Sequence, residues 1–178
     1  MTSEPSTLDP RALRGTLGQF ATGVTVVTAI GRDDLPRGIT MSSFNAVSLS
    51  PPLVLFSIGR GVQSLDDFRQ SPSYVVNVLD HLQYELATTF GKPSTDKWIG
   101  VKHRPGLNDV PILDGSLAHF ECVPFATYNG GDHEIFVVEV VAHAARDGQE
   151  PLLFFNGRLR GLGEEYPATP DWHFAHYF

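Results

Sequence analysis

The sequence predicts one mainly β domain built from many short strands. Its 178 residues include 17 glycines and 13 prolines, a content that favours frequent turns. Between these turn residues lie short segments rich in β-branched and aromatic side chains, which are typical of strands. Hydrophobic residues make up 42% of the chain and charged residues 19%, so the chain can bury an ordinary core without disulfides.

Charge and cysteine content narrow the class of protein. The net charge of -7 argues against nucleic acid or an anionic membrane as the main partner, because both select basic faces. The single cysteine, Cys122, rules out an internal disulfide and is expected to be a small buried residue. The sequence contains neither a signal-type segment nor an apolar run that could span a bilayer, so we expect a cytoplasmic protein.

The N-terminal part is predicted to hold a flexible leader over residues 1–8 and then a helix. Asp9 suits the N-cap and Pro10 the first helical position. The helix is expected to end at Gly23 and to carry an apolar stripe formed by Leu13, Leu17 and Phe20. We expect this stripe to place the helix on the core.

The remaining chain is divided into a main domain over residues 9–163 and an aromatic-rich tail over residues 164–178. Strands are predicted over residues 24–30, 53–58, 74–79, 117–127, 135–145 and 152–155, and short helices over residues 65–70 and 83–90. The 53–58 strand is continuously apolar and is expected to be buried on both faces. The 135–145 strand is apolar on both faces, which favours a barrel wall that also packs against a helix or a second subunit.

The stretch over residues 38–52, GITMSSFNAVSLSPP, is the clearest candidate for a binding loop. It carries five small hydroxyl residues, Thr40, Ser42, Ser43, Ser48 and Ser50. Side chains this small let a flat ligand approach the backbone, and their hydroxyls can donate to a phosphate or a ring carbonyl. On composition alone, an ordinary serine-rich loop is the alternative.

Two further polar positions are candidates. Ser64 and Asp67 have the spacing of a capping box, so the start of the 65–70 helix is either a phosphate site or an ordinary cap. His133 follows a hairpin-turn signal, Asn-Gly-Gly at residues 129–131, and its ring is expected to project from the turn. The alternative is that His133 is a polar residue at the end of a strand and has no function.

The sequence lacks the motifs of several other kinds of site. The chain has no GxGxxG after a strand, no P-loop and no GxSxG nucleophile motif. His119 and Cys122 are three residues apart on a predicted strand and point to opposite faces, so they do not form a pair of metal ligands. We expect no metal site.

Seven segments between residues 13 and 162 occur in a characteristic order. They are LRGTLGQFATGVTVVTA, GITMSSFNAVSLSPPLVLFSI, SLDDF, YVVNVL, LATTFG followed by Lys97, GGDHEIFVVEV and PLLFFNGRLRGL. In this order they resemble the flavin reductase-like family of FMN-binding split barrels, the NAD(P)H:flavin reductase components of two-component flavin-dependent monooxygenases. The resemblance implies a six-stranded Greek-key split β-barrel with accessory α-helices, which forms a homodimer with flavin at its interface.

The resemblance also implies site residues, position by position. Those expected to line the flavin ring and ribityl chain are Thr40, Met41, Ser42, Ser43, Ala46, Val47 and Ser48. Those expected on the phosphate side are Phe56, Ser57, Ile58 and Ser64, with Phe90 and Lys97 completing the pocket. His133 is expected over the flavin, where nicotinamide docks. Many relatives have a tyrosine where this chain has Leu159, and Phe154, Phe155 or a tail aromatic could replace that tyrosine.

The function implied is transfer of hydride from NADH or NADPH to FAD or FMN, supplying reduced flavin to a partner monooxygenase. Such a protein mainly has to stack two cofactor rings, which explains the lack of an evident nucleophile. The alternative is a flavin- or haem-binding split-barrel module that stores or senses its ligand without NADH turnover. An oxidase of the pyridoxamine-phosphate type is disfavoured, because the basic phosphate cluster it would need is not evident.

Overall fold

The computed structural model describes residues 8–94 and 96–163. Residues 1–7 of the predicted leader and the predicted 164–178 tail lie outside this part of the chain. The helices are α1 (Pro10–Leu17), α2 (Leu65–Gln70) and α3 (Tyr84–Phe90), with 3₁₀ turns at His81–Gln83 and Leu107–Asp109. The strands are β1 (Thr22–Gly23), β2 (Thr25–Ile30), β3 (Pro36–Met41), β4 (Asn45–Leu49), β5 (Pro52–Gly59), β6 (Tyr74–Val78), β7 (His103–Pro105), β8 (Pro111–Leu113), β9 (Ala118–Gly130), β10 (His133–Ala145), β11 (Leu153–Phe155) and β12 (Arg158–Arg160).

The main sheet is antiparallel and has the strand order β3-β2-β6-β9-β10-β5-β4. Its edge strands, β3 and β4, are joined by residues 42–44 alone, so the two edges lie close together and the sheet forms a barrel split between them. The predicted mainly β fold is confirmed. The main sheet has seven strands rather than six, and smaller sheets of order β1-β11-β12 and β7-β8 pack beside it.

Aromatic residues fill the barrel core. Phe56 on β5 lies opposite Phe136 on β10, and their rings stack with centroids 5.2 Å apart. Tyr74 contacts Phe56 edge-on and donates its hydroxyl proton to the carbonyl of Phe68 at 2.7 Å. From residue 54 of β5 onward, burial alternates: Val54, Phe56 and Ile58 are buried, whereas Leu55 and Ser57 are half-buried. The expectation that this strand is buried on both faces is therefore only partly right.

The long β9–β10 hairpin is confirmed, with three differences. Its two-residue turn is Gly131 and Asp132, because Gly130 still pairs with His133. Only the first half of β10 is buried, and residues 141–145 are exposed in the single chain. A bulge between Val140 and Ala142 also breaks the alternation that the sequence predicts.

Helix α1 begins as predicted but does not lie on the core. The Asp9 carboxylate accepts the backbone N–H of Arg11 at 3.0 Å, and Pro10 takes the first position. The helix ends at Leu17 rather than Gly23, because β1 draws the following residues into pairing with β11. The exposed fractions of its apolar stripe are 43% for Leu13, 63% for Leu17 and 76% for Phe20. The packing predicted for this helix is therefore wrong for the single chain.

Helix α2 has the predicted bounds but not the predicted capping box. Ser64 makes no side-chain hydrogen bond to the helix, and Asp67 is turned inward. The Asp67 carboxylate accepts hydrogen bonds from Nε of Arg37 at 2.7 Å and Nε of Arg32 at 3.1 Å. These charged hydrogen bonds are stronger than a neutral cap, so they determine where the carboxylate lies.

Helix α3 matches its prediction more closely. It ends at Phe90, and the backbone N–H of Gly91 caps it by donating to the carbonyl of Ala87. A capping box that was not predicted precedes it, formed by Asp80 and Gln83. In the described part of the chain, no helix is long and apolar enough to cross a membrane.

Candidate functional site

An open cavity of about 280 Å³ lies beside the edge strand β3. Apolar side chains from β3, α3, β11, β12 and the junction of β1 and β2 line it: Val24, Met41, Ala87, Phe154 and Leu159. Thr40 and Ser42 supply its polar edge. The cavity therefore combines an apolar wall with a short hydroxyl-bearing segment of the predicted binding loop.

The two hydroxyls at this edge differ in what they can still bind. The Thr40 hydroxyl donates to the carbonyl of Ala87 at 2.7 Å, which ties β3 to α3 and leaves its oxygen able only to accept. Ser42 is exposed, and within the described residues its hydroxyl makes no hydrogen bond. Ser42 is therefore the hydroxyl at the cavity edge that can both donate to a ligand and accept from it.

Ser43 has a structural task. Its Oγ accepts the backbone N–H of Ser57 at 2.9 Å and donates to the carbonyl of the same residue at 3.2 Å. These bonds fasten the loop between β3 and β4 to β5. The Ser43 donor expected to face a flavin is thus already occupied.

Phe90 and Lys97 support the cavity from behind. A Cβ atom added to Gly38 would lie 2.5 Å from Cε1 of Phe90, so glycine allows β3 and α3 to meet here. The Lys97 ammonium donates to the carbonyls of Phe90 at 3.1 Å and Gly38 at 3.4 Å. Burial lowers the pKa of Lys97. Both predicted residues reinforce the α3–β3 wall without lining the cavity.

The other predicted flavin residues lie in three places, none of which lines the cavity. Ala46 and Val47 are exposed on the edge strand β4, where Ser48 follows a bulge and accepts the backbone N–H of Ser50. The side chains of Phe56 and Ile58 belong to the barrel core and leave only their backbone available to a ligand. Ser64 is half-buried at the start of α2.

His133 is exposed at the end of the β9–β10 turn, as predicted. Its side chain is 48% exposed and its Nδ1 lies 2.7 Å from Oδ1 of Asp132. Because an ionised carboxylate only accepts hydrogen bonds, Nδ1 carries the proton and Nε2 is left for another partner. This hydrogen bond from His133 lowers the pKa of Asp132. His133 pairs in register with Gly59 of β5, two residues beyond the Ser43 contact.

A group of charged side chains, which we call the Glu134 cluster, lies next to His133 and consists of Glu134, Arg60, Arg69 and Asp66. Glu134 is 8% exposed, and both its oxygens accept hydrogen bonds from Arg69, one from Nε at 2.9 Å. Arg60 donates from Nη1 to Oε1 of Glu134 at 2.9 Å. The hydrogen bonds from Arg69, together with both positive charges, hold the pKa of Glu134 below its usual value.

Ala87 belongs to the site without having been predicted there, whereas Phe154 and Leu159 of the β11–β12 hairpin are positions that the family resemblance implied near the flavin. The Asn-Gly pair at residues 156–157 is a hairpin signal that could have revealed β12 and brought Phe154 and Leu159 together. Phe154 and Leu159 are cross-strand partners and both line the cavity. Cys122 is fully buried, as expected. Within residues 8–94 and 96–163, no His, Cys, Asp and Glu side chains form a metal-binding group.

Comparison with known proteins shows which family the chain belongs to. The reductase subunit of a flavin-dependent monooxygenase from Mycobacterium tuberculosis is 38% identical over 167 residues, which cover 93% of this chain and 89% of that protein. An FMN reductase (NADH) from Agrobacterium fabrum is 40% identical, with 86% of each chain covered. The solved structure of an NADH:FAD oxidoreductase from Streptomyces globisporus matches with a TM-score of 0.82 at 37% identity, covering 92% of this chain and 100% of that one. The family model described as a flavin reductase like domain matches residues 17–163, and this chain therefore belongs to the flavin reductase-like family.

Proposed function

We propose that this chain is a flavin reductase that oxidises NADH, or NADPH, and reduces FAD or FMN for a partner monooxygenase. The observation that carries the proposal is the open apolar cavity at the hydroxyl-bearing edge of β3, found in a chain of the flavin reductase-like family. The side chains that line the cavity include no carboxylate, imidazole, thiol or amine that could act as an acid or base, or activate the hydroxyls of Thr40 and Ser42 as nucleophiles. Such a site suits chemistry that its cofactors supply.

The cavity suits part of a flavin ring rather than a whole flavin nucleotide. Its volume of about 280 Å³ lies just below the range of small-molecule sites, which run from roughly 300 to 1,000 Å³. The apolar side chains can cover the ring, and the hydroxyl of Ser42 can bond to its polar edge. The ribityl and phosphate groups then lie outside the cavity, along the exposed residues of the loop and β4. A shallow site of this kind is compatible with releasing reduced flavin.

The residues of this chain have to hold two rings in register. When both cofactors are bound, the nicotinamide supplies a hydride and the flavin ring accepts it. Correct alignment is the protein's main contribution to such a step. We assign the cavity wall to the flavin and His133 to the nicotinamide nucleotide. With Nδ1 held by Asp132, Nε2 of His133 can accept a hydrogen bond, or donate one when the ring is protonated.

We further propose that the protein is a cytoplasmic homodimer. The support for a dimer is the amount of apolar surface left uncovered by the single chain. It includes the α1 stripe and the outer part of the β9–β10 hairpin, where Phe125, Tyr128 and Val141 are all more than half exposed. Surfaces of this kind mark interaction sites. A second copy placed there could also supply contacts to the outer part of the flavin.

The test is NADH oxidation by the purified protein, followed by absorbance, with FAD, FMN or no flavin added after exhaustive flavin removal. We expect turnover only when flavin is present, and a preference between the flavins and between NADH and NADPH. Flavin binding without NADH oxidation would overturn the proposal and favour a storage or sensor module. A stimulation of NADH oxidation by haem instead of flavin would also contradict it.

A further inference from the structure

The guanidinium of Arg60 is bound to the turn that carries His133. Its Nε donates to the carbonyl of Gly131 at 2.9 Å, and its Nη2 donates to Oδ1 of Asn129 at 3.0 Å. The backbone N–H of Arg60 donates to the carbonyl of Asp132 at 2.8 Å. Arg60 therefore contacts the residue Asn129 before the turn and both residues of the turn, Gly131 and Asp132.

The third nitrogen of this guanidinium is bound to a fixed point. Nη1 of Arg60 donates to Glu134, whose buried carboxylate is itself held by Arg69 of α2. The planar guanidinium can make these three contacts at once, which the single ammonium of a lysine cannot reproduce. Arg60 thus links the turn to the body of the protein through a defined geometry.

Apart from Arg60, the turn is held by the ladder pairs of His133 with Gly130 and with Gly59, and by Oδ1 of Asn129, which accepts the backbone N–H of Gly131 at 3.2 Å. Gly131 adopts a positive φ of 75°, and in the described structure the His133 side chain hydrogen-bonds only to Asp132. All residues from 129 to 133 are exposed. The imidazole ring lies beside Gly59 of β5 but is half exposed, so its position follows largely from the backbone of the turn.

We propose that Arg60 is a positioning residue for hydride transfer, which fixes the 129–134 turn and through it the ring of His133. The inference rests on the proposed function, in which His133 contacts the nicotinamide nucleotide. A direct role of Arg60 in binding phosphate is disfavoured, because three of its five N–H donors already bind the protein and its charge is paired with Glu134. The proposal therefore assigns the effect of Arg60 to geometry rather than to charge.

The kinetic experiment compares Arg60→Met and Arg60→Lys with the matched control Arg32→Met. Arg32 is a suitable control because it also binds a buried carboxylate, that of Asp67. When Arg32 is replaced, Asp67 still has Arg37 as a partner, just as Glu134 still has Arg69 when Arg60 is replaced. Stopped-flow reduction of flavin-loaded protein by NADH should show a loss of about 10- to 100-fold in rate or NADH affinity for both Arg60 variants. Flavin affinity should stay within about twofold of wild type. A Lys variant with wild-type kinetics would show that charge is sufficient and would overturn the proposal.

A double-mutant cycle tests whether Arg60 acts through His133. If it does, Arg60→Met should have no further effect on reduction by NADH in a His133→Ala background. Multiplying effects of the two substitutions would show that Arg60 acts independently and would overturn the proposal. If the wild type is active and Arg60→Met has the same reduction rate and NADH affinity, the proposal is overturned as well.

A measurement without turnover separates failure of this inference from failure of the proposed function. Amide hydrogen exchange in the flavin-free protein reports the turn directly, at the backbone N–H of Gly131 and His133. We expect exchange to accelerate at least about tenfold in Arg60→Met and Arg60→Lys and to be unchanged in Arg32→Met. Unchanged exchange in the Arg60 variants would refute the positioning role whether or not the protein oxidises NADH. If exchange is faster in the Arg60 variants but the wild type does not oxidise NADH, the proposed function is refuted, whereas the role of Arg60 in fixing the turn is supported.

Discussion

The β3 cavity and the His133 turn are held in place in different ways. The cavity is built into the packed framework, where Thr40 hydrogen-bonds to α3 and Phe90 contacts Gly38. The turn lies at the surface, where the charged side chain of Arg60 hydrogen-bonds to Gly131 and Asn129. Changes at the cavity should therefore alter stability and flavin binding together, whereas changes at the turn should alter the NADH step alone.

The largest effect is expected from Gly38→Ala, behind the cavity. The new Cβ would lie 2.5 Å from the buried Phe90 ring, so β3 and α3 would have to separate. We expect a loss of about 1–3 kcal/mol in the free energy of unfolding and weaker flavin binding, measured by denaturant titration and fluorescence. Gly61→Ala is the control, since nothing lies within 4 Å of its added Cβ. Equal stability of the two variants would contradict a rigid wall.

Substitutions of the adjacent residues Ser42 and Ser43 should have different effects, one on flavin binding and the other on stability. Ser43→Ala removes both bonds to Ser57 and leaves a half-buried N–H without its partner. We expect it to cost about 1–2 kcal/mol of stability by thermal and denaturant unfolding. Ser42→Ala should leave stability within about 0.5 kcal/mol of wild type and weaken flavin binding. The reverse pattern would mean that Ser43, and not Ser42, faces the ligand.

Leu159→Ala should weaken the cavity wall, which this side chain lines. The change removes apolar contact surface, and we expect flavin affinity to fall by about 1 kcal/mol, measured by equilibrium titration. The NADH affinity of flavin-saturated protein should not change. A change in NADH affinity alone would place the nicotinamide, rather than the flavin, against the β11–β12 hairpin.

The smallest effect on stability is expected from His133→Ala, which should lower the free energy of unfolding by less than about 1 kcal/mol. Its ring is half exposed and fills no core position. The expected change is a higher KM for NADH or a lower kcat, distinguished by single-turnover stopped-flow over a range of NADH concentrations. A folded variant with wild-type NADH affinity and reduction rate would make His133 a bystander.

The sequence predicted what local patterns determine. The hairpin signal at residues 129–131 and the end of α3 at Gly91 are short-range patterns. The hydroxyl-bearing edge of the site was implied by the family resemblance, because composition alone left an ordinary serine-rich loop open. Thr40, Met41 and Ser42, at the end of β3 and directly after it, do line the cavity.

The errors arose where distant partners decide the outcome. Asp67 has the spacing of a capping residue, but arginines 30 and 35 residues away bind its carboxylate. Ser43 resembles its neighbour Ser42 in sequence, and only the nearness of Ser57 in the fold gives it a different task. The opposite wall of the cavity comes from β11 and β12, more than 110 residues beyond β3, which no local pattern relates to it.

The position of α2 has a consequence for the order of folding. A helix of six residues is too short to be stable by itself. Its Asp67 binds the β2–β3 hairpin through Arg32 and Arg37, and its Arg69 binds the β9–β10 hairpin through Glu134. Both hairpins must therefore be in place before α2 gains its partners. We expect α2 to dock after the rate-limiting step, so that its substitutions accelerate unfolding and leave the folding rate nearly unchanged.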